Sequence, residues 1–315
     1  MQLYPKAVIS ALRVEISSLE RIRSHFVCPA MGTAMLSWQK KINRWLQSRI
    51  DPSLLQKLKA VPTRKNEYGY DPFGFSVDKA MSVVVFTQLL YRYYFRVETF
   101  GIRNVPNGRV IIASNHSGQL PFDGVAIGGA LVFDLDPPRI ARSMIEHFVP
   151  RLPYVSYLFS RWGQIVGTPE NCLRLLHDDE AVLVFPEGAK GISKPFSERY
   201  KIQEFGNGFM RLALETGSPI VPVAVIGAEE QAPAVNAAAL AKLFKLPSFP
   251  VMPFPPFFPL LPLPTKYRIH FGQPMRFKGD PDLDDDEIAP LVEEVRRTIQ
   301  SMVHMGLKKR KHVFW

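Results

Sequence analysis

The chain has 315 residues, of which 46% are hydrophobic and 22% charged, a balance that excludes a predominantly disordered protein. The length allows one large α/β domain or two small domains. With Cys28 and Cys172 as its two cysteines, the chain cannot hold a disulfide framework or a four-cysteine zinc site, and a reducing compartment is favoured.

Positive charge is concentrated in the first third of the chain. Residues 1–110 hold 17 Lys and Arg against 7 Asp and Glu, a net charge of +10, whereas residues 111–315 hold 22 of each. The expected partner of the first third is therefore an anionic surface, either lipid head groups or nucleic acid. No stretch resembles a signal peptide or a membrane-spanning helix, so the chain is expected not to cross a membrane.

Two amphipathic helices are predicted at the start of the chain, over 6–26 and 33–50. The second places Trp38 and Trp45 on its apolar face. This pattern suits packing against the rest of the protein and also suits a helix lying on an anionic membrane. Residues 60–76 are rich in Pro, Gly and Asp and predict a linker. The expected organisation is thus a basic amphipathic segment with its linker over 1–74, followed by a domain over 75–315.

Strands and helices are predicted to alternate after the linker. Unbroken apolar strands between helices are typical of a buried parallel sheet. The predicted fold class is therefore α/β, a largely parallel central sheet flanked by helices, preceded by the amphipathic segment. The predicted strands are 109–114, 163–166, 181–185, 219–226 and 267–271, and the predicted helices are 146–159, 169–177, 207–216 and 286–304.

A histidine and an aspartate follow the first predicted strand of the domain. His116 comes just after strand 109–114, and Asp123 follows seven positions later. An aspartate that accepts a hydrogen bond from one ring nitrogen fixes the imidazole tautomer and leaves the other nitrogen free to take a proton. The alternative is that Asp123 caps the next helix and His116 is incidental.

A second polar group ends strand 181–185, in the segment Val184-Phe185-Pro186-Glu187-Gly188. A glutamate followed by glycine at a strand end is well placed to receive a substrate hydroxyl. Taken alone, Pro-Glu-Gly also fits an ordinary turn.

In this order, the segments resemble the blocks of the glycerolipid acyltransferase superfamily over residues 75–280. Asn115-His116 with Asp123 resembles the first block, and 163–166, 184–188 and 220–225 resemble the others. The segments 208–213 and 227–230 resemble the branch with monoacylglycerol acyltransferase-like proteins. The resemblance implies an α/β enzyme in which His116 and Asp123 are catalytic and Gly163, Pro186, Glu187 and Gly188 bind substrate.

Two features depart from the pattern of the superfamily. Its members usually have four residues between the histidine and the aspartate, whereas this chain has six, with Gly118 and Pro121 among them. The acceptor block commonly ends in an arginine that contacts a phosphate, but residues 163–168 contain none. Because the bidentate phosphate partner is missing there, a neutral glyceride is expected as acceptor at least as readily as lysophosphatidate, unless Arg161 substitutes.

The resemblance also implies the partners. Acyl-CoA or acyl-carrier protein is the expected co-substrate and a glycerolipid the expected acceptor, with no bound cofactor or metal. The enzyme is expected to be peripheral, on the cytoplasmic face of an anionic membrane. The uncharged, proline-rich run 246–264 is expected to form an apolar flap or to pack inside the domain. The alternative is a catalytically weak lipid-binding or scaffolding relative docked on membranes. Nucleic-acid binding through the basic N-terminal third is a third possibility, but no reading motif is recognisable, so nucleic acid is not an expected partner.

Overall fold

The computed structural model describes residues 45, 48, 52–61, 66–77, 80–116, 122–145, 163–192, 194–232, 235–236, 250–251 and 262–315. The chain forms two compact units, Met1–Ile50 and Asp51–Trp315. In the first unit, the Ser48 hydroxyl donates to the Trp45 carbonyl oxygen at 2.7 Å. The predicted helices 6–26, 33–50 and 146–159 otherwise lie outside the described residues, and so does most of the run 246–264. The predicted boundary after residue 74 stays a prediction.

The second unit is built on a mostly parallel sheet, which confirms the predicted α/β class. Its seven strands have the order β1-β9-β6-β2-β5-β3-β4, and β9 is antiparallel to β6. A separate antiparallel pair, β7 with β8, completes the described strands. The strands are β1 Glu98–Phe100, β2 Val110–Ser114, β3 Ala141–Ile145, β4 Ile165–Val166, β5 Ala181–Val184, β6 Ile220–Ile226, β7 Val235–Asn236, β8 Pro250–Val251 and β9 Arg268–Phe271.

Helices cover both faces of the sheet, and apolar clusters fill both interfaces. None of the described helices has the length and apolar character needed to cross a bilayer. The α-helices are α1 Pro52–Ala60, α2 Met81–Leu89, α3 Phe122–Phe133, α4 Pro169–His177, α5 Gly188–Ile192, α6 Gly208–Thr216 and α7 Asp285–Lys309, with α2 continued by a π-helix over Leu90–Tyr94.

The last helix extends beyond its predicted range and buries one apolar face, which includes Ile288, Val292, Val295, Ile299 and Val303. It begins at Asp285, where Asp284 and Glu287 form a capping box. On its surface, Glu293 Oε1 lies 2.7 Å from Arg297 Nε, an i,i+4 pair. Just after the helix, Arg310 Nη1 lies 2.7 Å from Glu230 Oε1.

The segment predicted as a linker is packed against the domain over part of its length. Asp71 accepts hydrogen bonds from the backbone amides of Phe73 and Phe75, and its other oxygen lies 2.6 Å from the guanidinium of Arg142 on β3. Asp71, Phe75 and Arg142 are all buried. The Asp–Arg pair thus fixes this segment to the sheet, which its loop-like composition did not indicate.

Candidate active site

His116 and Glu187 reach the same edge of the sheet because β2 and β5 are parallel neighbours. Ala113 on β2 pairs with Val184 on β5. Each polar residue lies three positions beyond its member of that pair, so the strand register brings the two to one level. Functional groups of α/β proteins gather at such carboxyl ends.

His116 and Asp123 form a hydrogen-bonded pair. His116 Nδ1 lies 2.7 Å from Asp123 Oδ2, and the second carboxylate oxygen accepts the Gly124 backbone N–H at 2.7 Å. Asp123 stands in the first turn of α3 and is fully buried, whereas 13% of the His116 side chain reaches solvent. The six-residue gap therefore does not prevent the contact. A carboxylate at Nδ1 favours the tautomer that leaves Nε2 as a proton acceptor.

Two further contacts fix the histidine. Its ring stacks on Phe185, with centroids 4.2 Å apart, and its backbone N–H donates to Glu187 Oε1 at 2.8 Å. Neither group engages Nε2. Ring and main chain are thus held while the proton-accepting nitrogen stays available to a substrate.

Glu187 is occupied by protein groups on both carboxylate oxygens. Oε1 accepts from the His116 amide, and Oε2 accepts the Gln203 backbone N–H at 2.8 Å and lies 3.3 Å from Lys194 Nζ. The side chain is fully buried. In this geometry Glu187 supports the main chain of the histidine, and its predicted contact with the acceptor stays a prediction.

The neighbouring predicted residues shape the same turn. The Pro186 carbonyl oxygen accepts the Gly206 backbone N–H at 3.0 Å, and the Gly188 N–H donates to the Phe185 carbonyl oxygen at 2.9 Å. Gly188 has a φ of +53°, in the left-handed region, so a side chain there would be strained. Their contact with substrate also stays a prediction.

Gly163 lies away from this cluster, in the turn before β4. Two strand spacings separate β4 from β5, about 10 Å. A Cβ atom at Gly163 would contact Phe75 and Ile140 at 3.4 and 3.5 Å. The structure therefore does not bring Gly163 beside His116; Arg161 lies outside the described residues.

An apolar groove runs along α3 and opens to solvent. Gly124, next to Asp123, is part of its wall, and an added Cβ there would lie 3.6 Å from the Phe185 ring that stacks on His116. The wall is apolar apart from Thr87, Ser143 and Gln164. Its other members are Phe75, Ala80, Val83, Val84, Val125, Gly128, Gly129, Val132, Phe133, Ile140 and Ala141.

The described residues offer neither a cluster of metal ligands nor a reactive thiol. They contain no group of three or more His, Cys, Asp or Glu side chains that could hold a metal ion. Cys172 is buried, and burial raises the pKa of its thiol to about 11, which makes it a poor nucleophile.

Comparison with known proteins agrees with this geometry. The family model "Acyltransferase" matches residues 96–226, which span β1 to β6 and include all four predicted blocks. An uncharacterized protein of Mycobacterium leprae is 37% identical over 260 residues, covering 79% of this chain and 71% of its own. This chain belongs to the acyltransferase family.

Two further similarities are more distant. The mouse protein named DGAT1/2-independent enzyme synthesizing storage lipids is 26% identical over 208 residues, covering 65% of this chain and 59% of its own. The crystal structure of the 1-acyl-sn-glycerophosphate (LPA) acyltransferase PlsC from Thermotoga maritima matches with a TM-score of 0.49 and 18% identity, covering 75% of this chain and 83% of that one.

Three residues of this candidate site were not predicted as site residues. Lys194 contacts Glu187 and Glu229, and the Tyr200 backbone N–H donates to Glu229 Oε2 at 2.7 Å. Glu229 and Tyr200 lie far from Glu187 along the chain, and tertiary packing brings them together. The resemblance pointed to the segment around Glu229 but gave it no role.

Proposed function

We propose that this acyltransferase moves a fatty acyl group from a thioester donor, acyl-CoA or acyl-carrier protein, to a glycerolipid hydroxyl, with His116 as general base. The supporting observation is the 2.7 Å contact between His116 Nδ1 and the buried Asp123, beside an apolar groove. The nucleophile of the proposed reaction is the substrate hydroxyl, so no acyl-enzyme is required.

The proton follows a short path in this mechanism. Nε2 of His116 takes the proton of the acceptor hydroxyl as the oxygen attacks the thioester carbonyl carbon. The imidazolium is stabilised by the Asp123 carboxylate, and it returns the proton to the departing thiolate when the carbon–sulfur bond breaks. The products are an ester and a free thiol.

The groove is the proposed site of an acyl chain. Its wall comes close to the stacking partner of His116 at Gly124 and carries no charged side chain. Apolar walls favour hydrocarbon burial, about 0.8 kcal/mol for each CH₂ group removed from water. A chain in the groove would place its carbonyl end near the histidine.

The acceptor is the first point to test. Because residues 163–168 lack an arginine, a neutral glyceride should be used at least as well as lysophosphatidate. Labelled acyl-CoA is incubated with lysophosphatidate, monoacylglycerol, diacylglycerol and a lysophospholipid, and thiol release and labelled product are measured. A specificity constant more than about tenfold in favour of lysophosphatidate, about 1.4 kcal/mol, would contradict the proposed preference.

Helix α2, which also contributes to the groove wall, has an exposed side that supports peripheral binding to an anionic membrane. Phe86, Leu89 and Tyr93 have 46%, 53% and 71% of their surface exposed, on one side of α2 and its π-helical continuation, and Arg92 beside them is exposed. Apolar side chains flanked by a cation suit the interface of an anionic bilayer.

Co-sedimentation tests this part of the proposal. Binding to anionic vesicles should weaken with salt and be reduced in Phe86→Ser/Leu89→Ser, while Met305→Ser, which removes a side chain 52% exposed on α7, should bind like the wild type. A wild-type protein that stays in the supernatant with anionic vesicles at low salt would contradict membrane docking.

The alternative of a catalytically weak lipid-binding relative loses its main argument. A long gap that kept the aspartate away from the histidine would favour it, yet the two side chains are in hydrogen-bond contact.

A further inference from the structure

Three charged side chains form a buried cluster behind the histidine. Lys194 Nζ lies 3.3 Å from Glu187 Oε2 and 3.2 Å from Glu229 Oε1. At most 4% of any of the three side chains is exposed. A lysine in such a position is expensive to bury, and its two carboxylate partners are the compensation.

The cluster connects to the histidine through Glu187. Its Oε1 accepts the His116 backbone N–H, while its Oε2 faces both Lys194 and the Gln203 backbone N–H. One carboxylate thus joins the main chain at the general base to the ammonium behind it. The position of this carboxylate decides where the histidine backbone lies.

At the other side, Lys194 holds a carboxylate that would otherwise approach Glu187. Glu229 follows β6 in a 3₁₀ turn over Ala228–Glu230, and its second oxygen accepts the Tyr200 backbone N–H. Burial raises the pKa of Glu229 to about 7, and the Lys194 ammonium opposes that rise. Without Lys194, Glu187 and Glu229 would face each other as two buried like charges.

Other cations near Glu187 do not replace Lys194. Arg296 on α7 interacts electrostatically with Glu187, but its guanidinium is bound to Glu293, with Nε and Nη2 2.6 and 2.7 Å from the two carboxylate oxygens. Lys194 is the cation that contacts Glu187 directly among the described side chains that form ion pairs.

We propose that Lys194 is a positioning residue for the general base. Its ammonium neutralises Glu187 and separates it from Glu229. Glu187 then holds the His116 main chain in the position where the imidazole ring meets both Asp123 and the substrate. The inference rests on the proposed function, because it requires His116 to act as the base. Lys194 itself need not touch substrate.

The test compares Lys194→Met with a variant that restores the charge balance. Rates are compared well above pH 7, because the pKa of Glu229 is raised to about 7. With both carboxylates ionised, the wild-type cluster carries a net charge of −1, Lys194→Met changes it to −2, and Lys194→Met/Glu229→Gln returns it to −1. The single variant should lose about 10- to 100-fold in kcat with little change in KM, because a displacement of the order of 1 Å has this effect. The double variant should regain at least about fivefold.

A pH profile gives a readout that loss of packing alone would not change. Removing a positive charge near His116 favours the protonated imidazole, so the acid limb of kcat/KM should move to higher pH in Lys194→Met and return in the double variant. The control is Lys57→Met, which removes the same side chain from an exposed ion pair with Asp136 at 2.8 Å and should leave rate and pH profile unchanged.

The outcomes separate this inference from the proposed function. Wild-type activity together with an unchanged rate and pH profile in Lys194→Met would overturn the role of Lys194 and leave the function standing. A wild type inactive with every acceptor would overturn both. If Lys194→Met does not fold, the test depends on Lys194→Met/Glu229→Gln. A folded double variant that is more active than His116→Ala supports the inference. A folded double variant as inactive as His116→Ala overturns it.

Discussion

A single added methyl group at Gly191 should disturb the general base and its support together. Gly191 lies in α5, and an ideal Cβ atom built there would be 2.9 Å from the Cβ atoms of both His116 and Glu187. Ordinary contacts begin at 3.4 Å, so each neighbour must move by about half an ångström. Both neighbouring atoms are attached directly to the main chain, so a rotamer change cannot relieve the contact.

The magnitude follows from two opposing effects. Overpacking of this kind costs about 1–3 kcal/mol, while replacing glycine by alanine in a helix gains up to about 1 kcal/mol. Gly191→Ala should therefore lower the free energy of unfolding by up to about 3 kcal/mol. The rate should fall by about tenfold or more, because catalytic groups tolerate displacements of only about 0.5 Å.

Gly208→Ala provides the matched control. Gly208 begins α6, and a Cβ atom there would meet no other atom within 4 Å, so the substitution should be neutral or slightly stabilising. Urea unfolding gives the stability of both variants, and steady-state thiol release gives their activity. If Gly191→Ala matches Gly208→Ala in both measurements, the close packing around His116 has been misjudged.

Three further predictions follow from the site and its surroundings. Asp123→Asn should fold yet lose about 10²–10⁴-fold in kcat through loss of the correct tautomer; unchanged turnover would make Asp123 a helix cap only. Gly128→Phe should shift the preference towards shorter acyl chains, since a Cβ at Gly128 meets open space in the groove; an unchanged chain-length profile would move the acyl site elsewhere. Burial raises the pKa of Glu229 from 4.5 to about 7, so protonated Glu229 contributes stability below pH 4.5 that is lost as pH rises through 7. The free energy of unfolding of Glu229→Gln should therefore rise by about 3 kcal/mol relative to that of the wild type between pH 4.5 and 8. Urea denaturation that shows the same difference between the two proteins at both pH values would contradict this.

The sheet and the dyad could be predicted because their signals are local in the sequence. Buried parallel strands such as Ile220–Ile226 are short, unbroken apolar runs, and polar residues stand where they end. The strand ends placed His116 and Glu187 correctly at one edge of the sheet. The spacing could not decide whether Asp123 returns to His116 across six residues, because that depends on where α3 begins.

Other elements were missed because tertiary packing overrides their local pattern. Strand Ala141–Ile145 contains Arg142, which interrupts the apolar run and is buried only because Asp71 lies opposite. Helix Phe122–Phe133 contains three glycines and is apolar on nearly every side, so it shows no amphipathic stripe. Lys194 carries no local signal at all, since its environment is formed by carboxylates 7 and 35 positions away.

The central claim is that His116 removes the proton of a lipid hydroxyl during acyl transfer. It is tested most directly by the turnover of wild type and His116→Ala with labelled acyl-CoA and the best acceptor of the panel, after circular dichroism has shown that both are folded. We expect wild-type product formation and a loss of about 10²–10⁴-fold in kcat for His116→Ala. A folded His116→Ala protein that turns over at nearly the wild-type rate would contradict the mechanism.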